Sequence, residues 1–259
     1  MKIIQKIRSI LLSLIPIVAA LGLWELVARS GIFPAILLPP ATAVLYTLVI
    51  KVADGTLVTP ILFTLYTAMS GFLIASIVAI PAGLLLGWQR WLYRVFEPLV
   101  ESLRPIPAVA IIPIAIIFLG VGLTSRIAIV TYSSFFLIFI NALYGVYGID
   151  KLMFLSLQSI GMKQSTIFRK LIIPGSMPFV FAGLRLALVV SIILSVATEM
   201  LFGNIGIGHF LMSSVEHFRY QSLYAGVLSL SILGYTLNKI FLILERRVIG
   251  WSQELSAMV

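Results

Sequence analysis

The sequence predicts an all-α integral membrane protein with six transmembrane helices and both termini cytoplasmic. Three observations carry that expectation. Of 259 residues, 61% are hydrophobic and 10% charged, with a mean hydropathy of +1.14. A soluble domain is about 45–50% apolar and about 25% charged, and its surface would have no place for the difference. Second, six stretches are each apolar enough to fill the roughly 30 Å hydrocarbon core, which takes about 20 helical residues. Third, the basic residues fall mainly on one side of those stretches. A soluble enzyme is thereby excluded, and the net charge of +9 is read as topology, not as affinity for nucleic acid. With no cysteine in the chain, disulfides and thiolate metal sites are excluded too.

The first span is expected from Ile10 to Ala28. Lys2, Lys6 and Arg8 before an apolar run also describe a signal peptide, but the run continues through Trp24-Glu25 without a clear small-x-small cleavage site, so an uncleaved span is expected. The second covers Ile61–Trp88, long enough to tilt. The third runs from Ile106 to Gly122, and Pro105, Pro107 and Pro113 are expected to bend or break its start. The fourth, Arg126–Tyr147, follows a short turn at Gly122-Leu123-Thr124-Ser125. Phe179–Leu201 is the fifth and Ser222–Leu244 the sixth.

The positive charges test this count. An inner set holds Lys2, Lys6, Arg8, Arg90, Arg94, Arg104, Lys151, Lys163, Arg169, Lys170, Arg246 and Arg247. An outer set holds Arg29, Lys51, Arg126 and Arg219. Arg185 and Lys239 fall within spans, which completes the 18. Shifting the count by one span would mix the two sets.

Two connections are too long to be turns. In the outer segment 29–60, Leu37-Leu38-Pro39-Pro40 precedes Val44, Leu45, Leu48 and Val49 at helical spacing. An amphipathic helix at the outer interface is expected there, with an irregular loop as the alternative. In the inner segment 148–178, Asp150 can cap a helix. Leu152, Leu155, Ser159 and Ile160 continue it, and Gly161 is placed to stop it. A second short helix is expected over Lys163–Ile173, with Pro174 and Pro178 bracketing the entry to span five. The apolar stripe of these helices must lie in the headgroups or dock into a partner.

The string from Asp150 to Gly161, followed by Ile167-Phe168-Arg169-Lys170-Leu171-Ile172-Ile173-Pro174, resembles the cytoplasmic loop of binding-protein-dependent ABC importer permeases. That loop carries Glu-Ala-Ala, three residues, Gly, and a Phe-Arg/Lys-x-apolar-Leu-Pro tail. Leu37-Leu38-Pro39-Pro40, Leu103-Arg104-Pro105-Ile106-Pro107 with Ile112-Pro113, Gly183-Leu184-Arg185, Glu199-Met200 and Gly206-Ile207-Gly208 resemble the nitrate/sulfonate/taurine branch. The resemblance covers residues 37–210, with a core of 60–247 in one permease domain, 1–259. It implies a type I importer in a bacterial inner membrane: two permease copies, two cytoplasmic ATPase subunits and an extracytoplasmic solute-binding protein. The ATPase-coupling residues it implies are Asp150, Leu155, Ser156, Leu157, Gly161, Met162, Lys163, Phe168, Arg169, Lys170 and Pro174. Counted back from Gly161, the family's Glu falls on Leu155 and its alanines on Ser156 and Leu157. Leu155 cannot make the charged contact associated with that Glu, so docking is expected to depend more on apolar burial and on Lys163, Arg169 or Lys170; the alternative is a partner ATPase whose surface has changed to match.

No lysine is followed by Ser or Thr, so the chain holds no Walker A phosphate loop. ATP and Mg belong on a partner chain, and no cofactor, catalytic residue or metal is expected on this one. His209, Glu216 and His217 share an outer loop at spacings that fit no standard metal site. Polar residues that could line a pathway are Thr131, Ser133, Ser134 and Asn141 in span four, and Ser191 and Ser195 in span five. Their alternative fate is bonding to their own helix backbone. Glu199, near the outer end of span five, is read as a pathway residue or as a structural bond between helices. Arg185 stands about 21 Å from it along a straight helix and is expected to snorkel. The function the resemblance implies is import of a small solute delivered by the binding protein. The branch resembled handles small anions such as nitrate, sulfonates, taurine or bicarbonate, with vitamin precursors among its relatives, and no cluster of pathway arginines in the sequence demands an anion. The alternative is an ion-gradient-driven secondary transporter, which would show an internal repeat or interrupted helix pairs around midplane ionisable groups; no clear repeat is present and Glu199 does not fall mid-span.

Overall fold

The structure, a computed structural model, describes residues 2–250, with side chains from residue 15 onward. The side chains of Lys2, Lys6, Arg8 and the first residues of span one lie outside the described residues. Every regular element among the described residues is a helix, and these form two compact units: one reaches to Ile61 and includes Phe210–Ser231, the other holds Leu62–His209 and the chain from Ile232.

In the first unit, α1 (Lys2–Arg29) packs on α2 (Ala41–Ala53). The chain enters α2 through Pro40, and no local side chain caps it. Glu25 of α1 does so from outside: its carboxylate accepts from Thr42 N at 3.1 Å and Thr42 Oγ1 at 3.0 Å. A carboxylate there answers both the orphan amides and the positive helix end. The expected outer helix thus forms, with Val44 and Leu48 buried and Leu45, Tyr46 and Val49 exposed. Beyond it, Thr56 donates from N and Oγ1 to Asp54, holding that carboxyl below the usual carboxylate range.

In the second unit the long helices are α3 (Val58–Trp88) and α6 (Leu123–Tyr147). Gly71, Ala75, Ala79, Gly83 and Gly87 recur every four residues along α3, so they share one face. That face lies against α6. A Cβ at Gly83 would stand 2.6 Å from Phe139 O and 2.7 Å from Ala142 Cβ, and one at Gly71 would stand 2.6 Å from Val130 Cγ1. On its other side α6 meets α9 (Ile173–Phe202) just as closely: Gly183 faces Asn141 Cβ, and Gly145 faces Ser176 and Phe179. Phe72, Ile138, Phe139, Ala187 and Leu188 fill the core between them.

Two expectations are corrected. Span three is not one helix beginning at Ile106. The chain forms α4 (Arg90–Leu103), a break, a 3₁₀ turn at Ala108–Ile111 and α5 (Ile112–Leu119), bent by 84° across the break. Pro105 and Pro107 lack the N–H groups that would continue α4. Its charges, Arg90, Arg94, Glu97 and Glu101, hid it from a reading based on apolar runs. Second, the short helix expected over Lys163–Ile173 is not separate from span five: Pro174 stands in the first turn of α9, at the expected entry, but Pro178 lies inside the helix. After α7 (Lys151–Ser159), helix runs through α8 (Gln164–Ile167), a π-helical turn at Phe168–Ile172 and α9, together spanning 39 residues. The wide turn accommodates the Pro174 ring, which would clash with the carbonyl four residues earlier in a regular helix. The remaining helices are α10 (Ile207–Glu216) and α11 (Tyr220–Val248).

Among the described residues, four helices are long and apolar enough to cross a membrane (Val58–Trp88, Leu123–Tyr147, Gln164–Phe202 and Tyr220–Val248), and a fifth if the bent pair is one span. The packing of α3 on α6 leads to a direct test. Gly83→Val is expected to destabilise the protein by about 1–3 kcal/mol, read as a lower thermal unfolding midpoint in detergent. Gly22→Val, with nothing within 4 Å of its Cβ position, should not move it.

Candidate functional site

The segment from Gly148 to Pro178 begins as the sequence predicts. Asp150 accepts from Leu152 N at 2.8 Å and caps α7. Gly161 takes φ +75°, the left-handed conformation that a helix-ending residue needs. Gly161 N and Met162 N donate to Gln158 O and Leu157 O at 2.9 and 3.2 Å, closing the helix. Ser156 is turned back on its own helix, its Oγ donating to Leu152 O at 2.8 Å.

The two faces of α7 differ. Leu152, Met153, Leu155 and Ile160 are exposed, and so are Lys163, Arg169 and Lys170 around them. Inward, the Phe154 ring sits edge-on to Trp88 at 5.4 Å, and Phe168 approaches the same indole at 5.8 Å. Trp88, the last residue of α3, is thus gripped by one aromatic from α7 and one from the π-helical turn. Sequence reasoning missed it because it read Trp88 only as the end of a span. The loop is further seated by Ile149 against Gly175.

At the other end of α9, Glu199 is fully buried, and every bond it makes is structural in geometry. Its carboxylate accepts from Thr64 Oγ1 at 2.8 Å, Gly208 N at 3.0 Å and Ser195 Oγ at 3.1 Å. Thr64 Oγ1 in turn accepts from Ile207 N at 2.9 Å. Gly206, at φ +117°, lies so close that a Cβ would collide with the carboxylate. Arg126, expected at the outer surface, is buried at 2% exposure instead. It donates to Ile205 O at 3.3 Å and Asn204 Oδ1 at 3.2 Å, and lies over the rings of Phe63 and Phe202. The two charges therefore tie the segment 203–208 to α3, α6 and α9. Arg185 does not snorkel free: it pairs with Glu245 of α11.

The polar residues of α6 and α9 divide. Thr131 and Ser191 donate to their own helix, to Ile127 O and Leu188 O at 2.8 Å each. Ser195 also reaches Thr64 O at 3.2 Å. Ser134 is buried with its hydroxyl unpartnered. Ser133 and Asn141 instead open on a cavity of about 370 Å³ that Tyr132 and Arg104 also line. Among the described residues no three His, Asp or Glu side chains converge as a metal site would require.

Comparison with known proteins places these features. Residues 71–250 match the family model described as "Binding-protein-dependent transport system inner membrane component". The chain is 29% identical over 242 residues to a Brucella abortus protein named a probable ABC transporter permease, covering 93% of this chain and 96% of the relative. It is 27% identical over 252 residues to the taurine transport system permease protein of Escherichia coli, covering 95% and 92%. Among solved structures, a chain of the MetNI methionine ABC transporter in an inward-facing conformation superposes with a TM-score of 0.62 at 19% identity, over 74% of this chain and 93% of that one; at that identity the likeness is one of fold.

The buried carboxylate yields a prediction. Glu199→Ala strands the Thr64 hydroxyl and the Gly208 amide and leaves Arg126 without its counter-charge, a loss of about 3–5 kcal/mol. Hydrogen exchange across 203–208 should accelerate in that variant and change less in Glu199→Gln, which keeps an acceptor. Equal protection in all three forms would remove Glu199 from this role.

Proposed function

This chain belongs to the binding-protein-dependent transport system inner membrane components, and from that premise we propose that it forms the translocation path of an ATP-driven importer for a small oxyanion, of the nitrate, sulfonate or taurine class. The class follows its relatives, which include the taurine permease and the nitrate import permease protein of Synechocystis, 28% identical over 184 residues. Two copies of the chain enclose the path, and separate ATPase and solute-binding subunits complete the importer. In the membrane, α1, α3, the α4–α5 pair, α6, the 39-residue helix and α11 make six spans with both termini inside, in keeping with the charge distribution.

The observation that carries the reading is the exposed apolar face of α7, ringed by cations and held from behind by Trp88. An apolar face at a charged surface is costly unless a partner covers it. In place of the family's Glu, Leu155 offers burial to the ATPase. ATP-driven closure of the ATPases then moves α7, and the unbroken helix from Gln164 to Phe202 carries that motion toward the segment tied by Glu199. The permease does no covalent chemistry; it shifts between two states that the ATPases favour differently.

Co-expression with its ATPase and reconstitution with the binding protein test this. Leu155→Asp is expected to cut binding-protein-stimulated ATP hydrolysis about tenfold or more, as loss of a central apolar anchor does, while the permease keeps its unfolding midpoint. Uptake that follows an ion gradient without ATP, and a Leu155→Asp variant as active as the parent, would each overturn the proposal.

A further inference from the structure

Arg104 belongs by charge counting to the inner surface, yet the structure puts it elsewhere. α4 runs antiparallel to the second half of α6. At one end Arg90 lies over the Tyr147 ring at 5.5 Å, and Tyr93 packs edge-on to the same ring. At the other end, Tyr132 Oη donates to Leu103 O at 2.6 Å. Fourteen residues of α4 and the stretch of α6 from 132 to 147 both measure about 21–23 Å. The break at Arg104–Pro107 is therefore about 14 Å from the start of α6 and deep within its span. A charge at such depth is expensive and is kept where it has work to do, and a break in a helix at membrane depth is tolerated where it is buried in protein or lines a cavity.

The surroundings of Arg104 fit an anion. It lines the cavity of about 370 Å³ with Tyr132, Ser133 and Asn141, and no carboxylate lines it. Glu101, its ion-pair partner, stands 3.8 Å away and leaves its guanidinium about half exposed. Ser133 makes no side-chain hydrogen bond among the described residues, and the Asn141 amide spends one N–H on Leu137 O at 2.8 Å, keeping the other. A guanidinium fork with hydroxyl and amide donors beside it matches a planar or tetrahedral oxyanion. We propose that Arg104, Ser133 and Asn141 form an oxyanion subsite of the translocation path, at the break between α4 and α5. The subsite rests on the importer reading for its purpose, and on the cavity alone for its chemistry.

The cysteine-free chain allows a test that needs no transport. Ser133→Cys in nanodiscs is labelled with a methanethiosulfonate bearing a sulfonate and, separately, with one bearing a trimethylammonium. The anionic reagent is expected to react faster, added methanesulfonate or nitrate to slow it, and Arg104→Gln to cut the ratio of the two rates about tenfold or more. Arg104→Lys keeps the charge without the fork, so it should retain the ratio and lose the protection by anions. A ratio indifferent to Arg104→Gln, or labelling indifferent to added anion, would overturn the subsite. Stimulated ATP hydrolysis in the reconstituted parent reports on the importer reading separately. Where it is present, Arg104→Gln should leave the stimulation in place and lower anion uptake at least tenfold.

Discussion

Everything in the second unit depends on how closely α3, α6 and α9 approach one another. Lipid supplies no hydrophobic force between helices, because their apolar side chains are as well solvated by acyl tails as by each other. What holds them is contact, and contact needs backbones to come near. The four-residue recurrence of Gly71, Ala75, Ala79, Gly83 and Gly87 provides that on α3. Gly145 of α6 and Gly183 of α9 provide it on the opposite side. With α6 clamped on both flanks, the polar residues it carries are fixed in direction, which is why Ser134 is sealed in while Ser133, its neighbour, faces a cavity.

Rigid packing of that kind concentrates any change of shape at the places where helix regularity fails. Two stand out among the described residues of the second unit. The π-helical turn at Phe168–Ile172 joins the docking helices to α9, and the Arg104–Pro107 break joins α4 to α5. Both coincide with prolines, and both adjoin a feature that the function calls on. The turn carries Phe168, which grips Trp88; the break carries Arg104. Between them α6 and α9 are held closely along their length, by Gly145 against Ser176 and Phe179 and by Gly183 against Asn141.

Much of this was legible in the sequence, and the rest failed for identifiable reasons. Asp150 and Gly161 act locally, one through a side-chain cap and one through a left-handed backbone, so their types and spacing sufficed. The apolar lengths of α3, α6 and α11 were likewise plain. The continuity of residues 164–202 was not read from the sequence, because proline such as Pro178 is tolerated in membrane helices where a wider turn or a neighbour meets the lost bond. α4 was missed because its charges lower its hydropathy, although Trp91, Val95 and Leu99 follow helical spacing. Thr64 and Arg126 could not be joined to Glu199 from sequence at all. Their separations of 135 and 73 residues are bridged only by the packing of α3 and α6 against α9.

Glu199 and Arg104 show how two charges at depth come to do different things. A charge in lipid is tolerable when donors or acceptors replace its water. Glu199 has three donors in place and a cation within reach of its field, with no exposed surface. Nothing is left over with which it could meet a solute, and its removal would loosen the structure before it altered selectivity. Arg104 has one carboxylate, Glu101 at 3.8 Å, a half-exposed side chain and a cavity in front of it. Its solvation is incomplete in the chain alone, and an arriving oxyanion would complete it. Hydrogen-bond accounting thus separates the charge that builds the path from the charge that reads what passes along it.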